Sequence, residues 1–313
     1  MKIITHGEII NMGITPKQCY DWVSEVIADK NDYVLPHKIS LKYKEDGFYN
    51  TMPSILEKEG YFGAKVVNRY PDRKPALDSK LMLYDLKSGE LKALMDANFI
   101  TAMRTGAVAA HSINLLGKKD GNTIGIIGLG NTARAAVKVL AEVNKEKKYI
   151  IKLLEYKNQH ELFKEELSSL YDNLSFEYVS TYESLIRGSD VVISAATYFE
   201  NDIAAEDWFE KGVLLVPIHT RGFGVCDSVF DKVFADDTDH VAHFKNFFRF
   251  KKFGEVTDVV NGKIPGRETE EERIIAYNIG ISLHDVYFAL KIYNEFKGGT
   301  VIEMKQPEGK FWV

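Results

Sequence analysis

The stretch from Thr123 to Val137 restricts the possible folds of this chain more than any other part of the sequence. It begins with an apolar run and continues as Gly128-x-Gly130-x-x-Ala133 into residues compatible with a helix. The apolar run predicts a buried strand, and the alanine-rich residues that follow predict a helix. A strand, a tight turn and a helix in this order are typical of dinucleotide-binding sites.

Each small residue of this motif has a separate physical role. Gly128 permits the tight turn, Gly130 lets the backbone approach a pyrophosphate, and Ala133 allows the helix to pack closely on the strand. The first N–H groups of the helix, including those of Asn131 and Thr132, have no partner within the helix and can donate to phosphates. The motif alone is weak, because it also fits a helix that only packs closely on a strand. With its surroundings it predicts that these five residues bind the cofactor.

The chain beyond this motif alternates between strand-like and helix-like stretches. Predicted strands cover residues 123–127, 149–154, 175–179, 190–195, 213–217 and 232–235. This alternation predicts an α/β fold, with a Rossmann-type, doubly wound parallel sheet that these six strands complete. Residues 270–298 carry apolar side chains at helical spacing on both sides of Gly280, which predicts two helical pieces.

The first part of the chain has a different pattern. Thr15 and Pro16 are a predicted N-cap and first helical residue. Short alternating runs follow up to residue 95 without helices between them, and they predict a mostly antiparallel sheet. Residues 98–116 return to helical spacing, and the polar, glycine-flanked residues 117–122 mark a domain boundary.

Charge and composition exclude several classes of protein. The chain has 313 residues, which suggests about two domains, and a net charge of −5. It therefore lacks the basic excess expected of a nucleic-acid-binding protein. The apolar run at the start breaks after Ile4, and no run approaches the roughly 18 apolar residues of a membrane span. Cys19 and Cys226 cannot build a disulfide scaffold, so we expect a cytoplasmic protein.

Two further positions in the second half are candidates for cofactor contacts. Glu155 ends the second strand of the predicted parallel sheet, where a carboxylate accepts hydrogen bonds from ribose hydroxyls and repels a 2′-phosphate. This predicts NAD(H), although the nearby Lys157 keeps NADP(H) open as an alternative and the glutamate also fits a solvated strand end. Ala196 and Thr197 follow the fourth strand, where small residues either abut the cofactor or merely begin a loop.

The first half contains cations in apolar surroundings: Lys38, Lys65 and Arg104. Converging cations are suited to a substrate carboxylate, whereas any one of them alone fits a structural ion pair. The acidic and histidine-rich residues 236–243 fit a solvated turn better than a metal site, and we predict no metal. Neither cysteine has an identifiable base beside it, so neither is a predicted nucleophile.

Short segments spread over nearly the whole chain carry a family resemblance. They are Met52-Pro53, residues 63–71, 83–85 and 88–89, Thr-Ala-Met-Arg-Thr-Gly-Ala at 101–107, the glycine motif, and residues 262–267. Together they resemble the ornithine cyclodeaminase and mu-crystallin family. The segments around Lys65 and Arg104 are far more specific than the glycine motif.

The resemblance implies an architecture and a chemistry. Residues 1–117 with 281–313 would form a substrate and dimerisation domain of α+β type, and residues 118–280 an inserted dinucleotide-binding domain in a homodimer. Lys65 and Arg104 would contact the substrate, and Lys38 stands where many members have an arginine. Members transfer a hydride to or from the Cα of an amino acid or its imine. Cations that fix the carboxylate would aim that Cα at the nicotinamide.

One departure from the family pattern affects the choice of reaction. Cyclodeaminases of this family carry a catalytic aspartate after the fifth strand of the parallel sheet, in a Gly-x-Asp context. Here that segment contains His219 and Arg221, and the next aspartate is Asp227. A cation and a histidine would suit a second carboxylate or polarise an imine.

The leading hypothesis is therefore an NAD(H)-dependent oxidoreductase of amino acids or imines, in which Lys65, Arg104, His219 and Arg221 are catalytic. A true ornithine cyclodeaminase, converting ornithine to proline and ammonia, is the closest alternative. A nucleotide-binding or small-ligand-binding protein without turnover is the third.

Overall fold

The computed structural model of the protein describes residues 1–44, 47–196, 199–218, 222–303 and 309. The chain forms two compact units. The first consists of Met1–Ile14, Asp32–Thr101 and Asp285–Val313, and the second of Thr15–Asn31 and Ala102–His284.

The described residues fold into a succession of β-strands and α-helices. The strands are β1 (Lys2–Ile4), β2 (Ile39–Tyr43), β3 (Gly47–Leu56), β4 (Tyr61–Arg69), β5 (Leu77–Asp85), β6 (Leu91–Asp96), β7 (Thr123–Ile127), β8 (Tyr149–Leu154), β9 (Leu174–Val179), β10 (Val191–Ser194), β11 (Leu214–Pro217), β12 (Lys232–Ala235), β13 (Phe253–Glu255), β14 (Ile274–Tyr277) and β15 (Thr300–Val301). The α-helices are α1 (His6–Asn11), α2 (Pro16–Ala28), α3 (Asn98–Leu116), α4 (Asn131–Val143), α5 (Gln159–Ser168), α6 (Tyr182–Ile186), α7 (Thr238–Val241), α8 (Val256–Val260) and α9 (Ser282–Glu295).

The first unit is built on a seven-stranded sheet in the order β15-β1-β6-β5-β4-β3-β2. Its pairs are antiparallel except for β1 with β6, so the predicted mostly antiparallel sheet is confirmed. In the middle of β4, Gly63, Lys65 and Val67 are buried while the residues between them are half-buried. Because side chains alternate along a strand, these three residues share one covered face.

The second unit is built on an eight-stranded sheet in the order β13-β12-β14-β11-β10-β7-β8-β9, and all of its pairs are parallel. Every residue of β10, β11, β12 and β14 is buried. Strands that are buried at every position are typical of a parallel sheet covered on both faces. The predicted doubly wound sheet is confirmed.

Two predictions about this sheet are wrong. The sequence predicts six strands and a helix near Ile274, whereas the sheet has eight strands and Ile274 lies in β14, between β11 and β12. The physical reason is that a run of four apolar residues has no periodicity that separates a buried strand from a buried helix. Only one of the two predicted helical pieces of residues 270–298 exists, as α9.

Helix α2 groups with the second unit. Its N-terminus is a capping box, in which Thr15 and Gln18 hydrogen-bond each other's backbone N–H groups, as the Thr15 cap predicts. The helix packs on α4. The predicted division placed residues 15–31 and 102–117 with the antiparallel sheet, whereas both segments belong to the compact unit of the parallel sheet. No helix among the described residues has the length and apolar character needed to cross a bilayer.

Candidate active site

The turn after β7 has the geometry that a dinucleotide site needs. Gly128 has a φ of +84°, and a Cβ atom there would come within 2.5 Å of the backbone nitrogen of Ala196. The turn therefore requires glycine for both its conformation and its close contact with the segment after β10. This contact places Ala196 beside the motif, its predicted contact with the cofactor stays a prediction, and Thr197 lies outside the described residues.

The N-terminus of α4 is open in front of Gly130. Gly130 is the N-cap, no side chain caps the helix, and a Cβ there would meet no atom within 4 Å. The first N–H groups, which include those of Asn131 and Thr132, are thus not occupied by a capping side chain, and they suit phosphate oxygens. Ala133 is completely buried at the third small position. The residues present fit a dinucleotide pyrophosphate.

Glu155 lies next to this cradle in the sheet. It follows β8, the strand paired with β7, and its backbone N–H donates to Val179 at 2.8 Å while its side chain is exposed. The carboxyl ends of parallel neighbours meet at one edge of the sheet. Glu155 therefore lies at the edge of the sheet where the sequence predicts the ribose contact, and that contact stays a prediction.

Arg104 belongs to the same unit as the cofactor cradle. It lies on α3 and is only 6% exposed. Two residues further on, a Cβ at Gly106 would come within 2.5 Å of the carbonyl carbon of Ala135 and the nitrogen of Ala136. At Gly106 the two helices therefore approach each other closely, with only the Cβ of Ala135 beside the backbones, so the helix that carries Arg104 packs directly on the cofactor helix.

Gly280, which the sequence marked only as a helix break, leaves room for the guanidinium of Arg104. A Cβ at Gly280 would lie 2.7 Å from Nη1 and 3.2 Å from Nη2 of Arg104, and the φ of Gly280 is +93°. Its N–H donates to Oδ2 of Asp236 at 2.5 Å. Asp236 therefore fixes the backbone against which Arg104 rests. This assigns a structural role to a carboxylate of the segment 236–243, and Asp237 pairs with Lys30 at 2.8 Å.

Lys65 is the central charged residue of the antiparallel sheet. Its ammonium pairs with Oδ1 of Asp285 at 2.7 Å, and both side chains are completely buried. Sequence reasoning missed Asp285. A detectable signal was present, since Asp285 is an acidic residue between Leu283 and Val286, among the buried positions of α9.

Lys38 is half-buried directly before β2. In the sheet, Ile39 pairs with Thr51 and Thr51 with Val66, the neighbour of Lys65. Extended by one residue, this register places Lys38 level with Lys65 and two strands away, or about 10 Å between backbones. The two lysines are thus brought to one region of the first unit.

The predicted pair of His219 and Arg221 lies outside the described residues, so its role stays a prediction. The described part of this segment contains Asp227, the next aspartate in the sequence. Asp227 is buried, and it accepts hydrogen bonds from the hydroxyl of Tyr277 at 2.6 Å and from Asn246 at 3.3 Å. Burial raises the pKa of Asp227 above its usual value. Both carboxylate oxygens are engaged within the protein.

The two cysteines are buried thiols with raised pKa values. Burial raises the pKa of Cys19 to about 12, and it raises that of Cys226 further. Because the thiolate is the nucleophilic form, both remain unreactive near neutral pH.

The parallel sheet and the glycine turn after β7 have the arrangement that is typical of dinucleotide-binding proteins, and a second unit carries the antiparallel sheet. The chain belongs to the ornithine cyclodeaminase/mu-crystallin family, whose model matches residues 10–300. The predicted family is thus confirmed.

Three similar proteins illustrate the range of this family. The iminosuccinate reductase of Paracoccus denitrificans is 27% identical, over 92% of this chain and 94% of the relative. The structure of the Thermococcus litoralis Δ1-pyrroline-2-carboxylate reductase in complex with NADH and L-proline has a TM-score of 0.84, at 23% identity over 96% of this chain and 100% of that one. An archaeal alanine dehydrogenase dimer with bound NAD has a TM-score of 0.85, at 22% identity over 97% and 99%.

Proposed function

We propose that this protein is an NAD(H)-dependent oxidoreductase that acts at the Cα–N bond of an α-amino acid or the corresponding imine. The observation that carries the proposal is the placement of Arg104 on a helix packed backbone to backbone on the cofactor helix α4. A buried guanidinium held at a fixed position relative to the cofactor cradle suits a substrate carboxylate. The named activities of the relatives support the same reaction class.

The residues of the chain divide the work as follows. Gly130 and the first turn of α4 bind the pyrophosphate, and Glu155 binds the adenosine ribose of NAD(H). Arg104, Lys65 and Lys38 are proposed to contact the substrate, as the family resemblance implies. The bound nicotinamide supplies or accepts the hydride, and the orientation of the carboxylate decides whether Cα is presented to it.

Turnover with a panel of amino acids tests this function. The purified protein is incubated with NAD+ and L-alanine, L-proline or L-aspartate, and with NADH and Δ1-pyrroline-2-carboxylate or an α-keto acid plus ammonia. NADH absorbance reports turnover. Lys65→Ala should abolish turnover and leave NADH affinity intact, whereas Lys80→Ala, at a half-exposed lysine on β5, should change neither. Equal activity of the Lys65→Ala variant would remove Lys65 from the mechanism.

The ornithine cyclodeaminase alternative is disfavoured by Asp227. With Tyr277 and Asn246 bound to its two oxygens, Asp227 is committed to the protein and does not replace the orienting aspartate of the cyclodeaminases. Incubation with ornithine and catalytic NAD+ separates the two reactions. Stoichiometric ammonia and proline would establish cyclisation, and NADH binding without turnover on any substrate would establish the binding-protein alternative.

The protein is proposed to form a homodimer through the edge of its antiparallel sheet. The edge strand β2 exposes Ile39, Leu41 and Tyr43, with 60%, 62% and 45% of their surfaces accessible. An exposed apolar edge strand is a template for pairing with another chain. Light scattering should give a dimer, and Leu41→Lys should weaken it. Both free cysteines are buried, in keeping with a proposed cytoplasmic location.

A further inference from the structure

The strongest unassigned feature of the first unit is the buried carboxylate that faces Lys65. Lys65 lies on the covered face of β4, and its register neighbours are Met52 on β3 and Leu81 on β5. Both neighbours are buried apolar side chains. Burial among such side chains disfavours the charged form of an ammonium unless a carboxylate compensates it.

Helix α9 brings that carboxylate to the sheet because β4 has a glycine at the crossing. A Cβ at Gly63 would lie 3.1 Å from both γ-carbons of Val286 and 2.8 Å from the backbone oxygen of Met82. Gly63 therefore lets α9 approach the sheet closely at Val286. The preceding residue, Asp285, then reaches the Lys65 ammonium at 2.7 Å.

The position of Asp285 favours its ionised form in a second way. It lies in the first turn of α9, where the N–H groups of the helix end stabilise negative charge. An ammonium has three N–H donors, and a bond to Asp285 fixes the direction of one of them. The directions of the other two are thereby set as well.

We propose that Asp285 is a positioning residue, which keeps Lys65 charged and aims its ammonium at the substrate carboxylate. The proposal rests on the proposed function of Lys65, and it assigns Asp285 no contact with substrate. A purely structural role of the Lys65–Asp285 ion pair predicts something different. Loss of a structural pair would lower stability without changing how the protein recognises a carboxylate.

The test is the discrimination between an amino acid and its amide. The kcat/KM with NAD+ is measured for L-alanine against L-alaninamide and for L-proline against L-prolinamide, using the pair that the unchanged protein oxidises. Asp285→Asn should lower kcat/KM for the acid on the order of 100-fold, as expected for a displaced binding group. It should lower the value for the amide much less, so the ratio of acid to amide should collapse.

Two further variants keep the test decisive. Asp285→Glu retains the charge but moves the carboxylate by one methylene group, so it should lower the ratio less than Asp285→Asn does, and it provides a second measurement if Asp285→Asn folds poorly. Glu295→Gln makes the same kind of change at the exposed end of α9 and should match the unchanged protein. An unchanged acid-to-amide ratio in either folded Asp285 variant overturns the positioning role alone. Absence of turnover in the unchanged protein overturns the proposed function, and the positioning role with it.

Discussion

Replacing Gly280 by alanine should disturb Arg104 without disturbing the cofactor. The new Cβ would lie 2.7 Å from Nη1 of Arg104, and ordinary contact begins at 3.4 Å, so the guanidinium must move by about 0.7 Å. The end of an arginine side chain moves easily, so this displacement itself costs little. The φ of +93° is the larger cost, about 1–3 kcal/mol for a residue with a Cβ. Asp236 resists relaxation, because it binds the N–H of the same residue.

A displacement of about 1 Å at a substrate-orienting group lowers the rate about 100-fold, so we expect kcat/KM to fall between 10-fold and 100-fold. NADH affinity, measured by fluorescence, should stay within about twofold, because the turn at Gly128 is unchanged. Gly188→Ala is the matched control. Gly188 also has a positive φ, of +68°, but a Cβ there meets only the end of Lys152 at 3.5 Å. Equal losses of activity in both variants at equal stability would refute the assignment of Gly280.

Two more predictions concern the cofactor and the pH dependence of stability. Glu155→Gln should raise the NADPH-to-NADH ratio of kcat/KM on the order of tenfold. The change removes a charged acceptor for the ribose hydroxyls of NADH and a charge that repels the 2′-phosphate of NADPH. An unchanged ratio would contradict the ribose assignment. Burial lowers the pKa of His111 from 6.5 to about 4. Below pH 6.5 the unfolded chain therefore binds a proton that the folded chain does not. The free energy of unfolding falls as the pH drops toward 4. Between pH 7 and pH 5 the loss is about 2 kcal/mol. Urea unfolding of His111→Gln should show a loss smaller by that amount, and equal losses would exclude His111 as the cause.

Local sequence patterns predicted the parts of the fold that depend on neighbours in the chain. The strand and turn at Gly128 and the cap at Thr15 follow from residue types at fixed short spacing. Strand β14 did not follow, because its four apolar residues have no distinguishing period. Its place between β11 and β12 depends on pairing with strands far away in sequence.

In the candidate site, too, local sequence patterns identified some residues and missed others. Lys65 and Arg104 stood out because a cation in an apolar stretch is a local anomaly. Their partners did not, since Asp285 is 220 residues from Lys65 and Gly280 is similarly remote from Arg104. An acid on a helix and a glycine before it are common in isolation. Only the folded chain shows that one faces an ammonium and the other leaves room for a guanidinium.

The bare contact between α3 and α4 at Gly106 has a consequence for how such a protein diversifies. Any side chain at position 106 would meet the backbone of α4 at Ala135 and Ala136, so a larger residue there would push the two helices apart. Such a substitution would displace Arg104 relative to the N-terminus of α4 without changing either of them. Under the proposed function, position 106 is therefore closed to variation, although Gly106 is assigned no contact with substrate or cofactor.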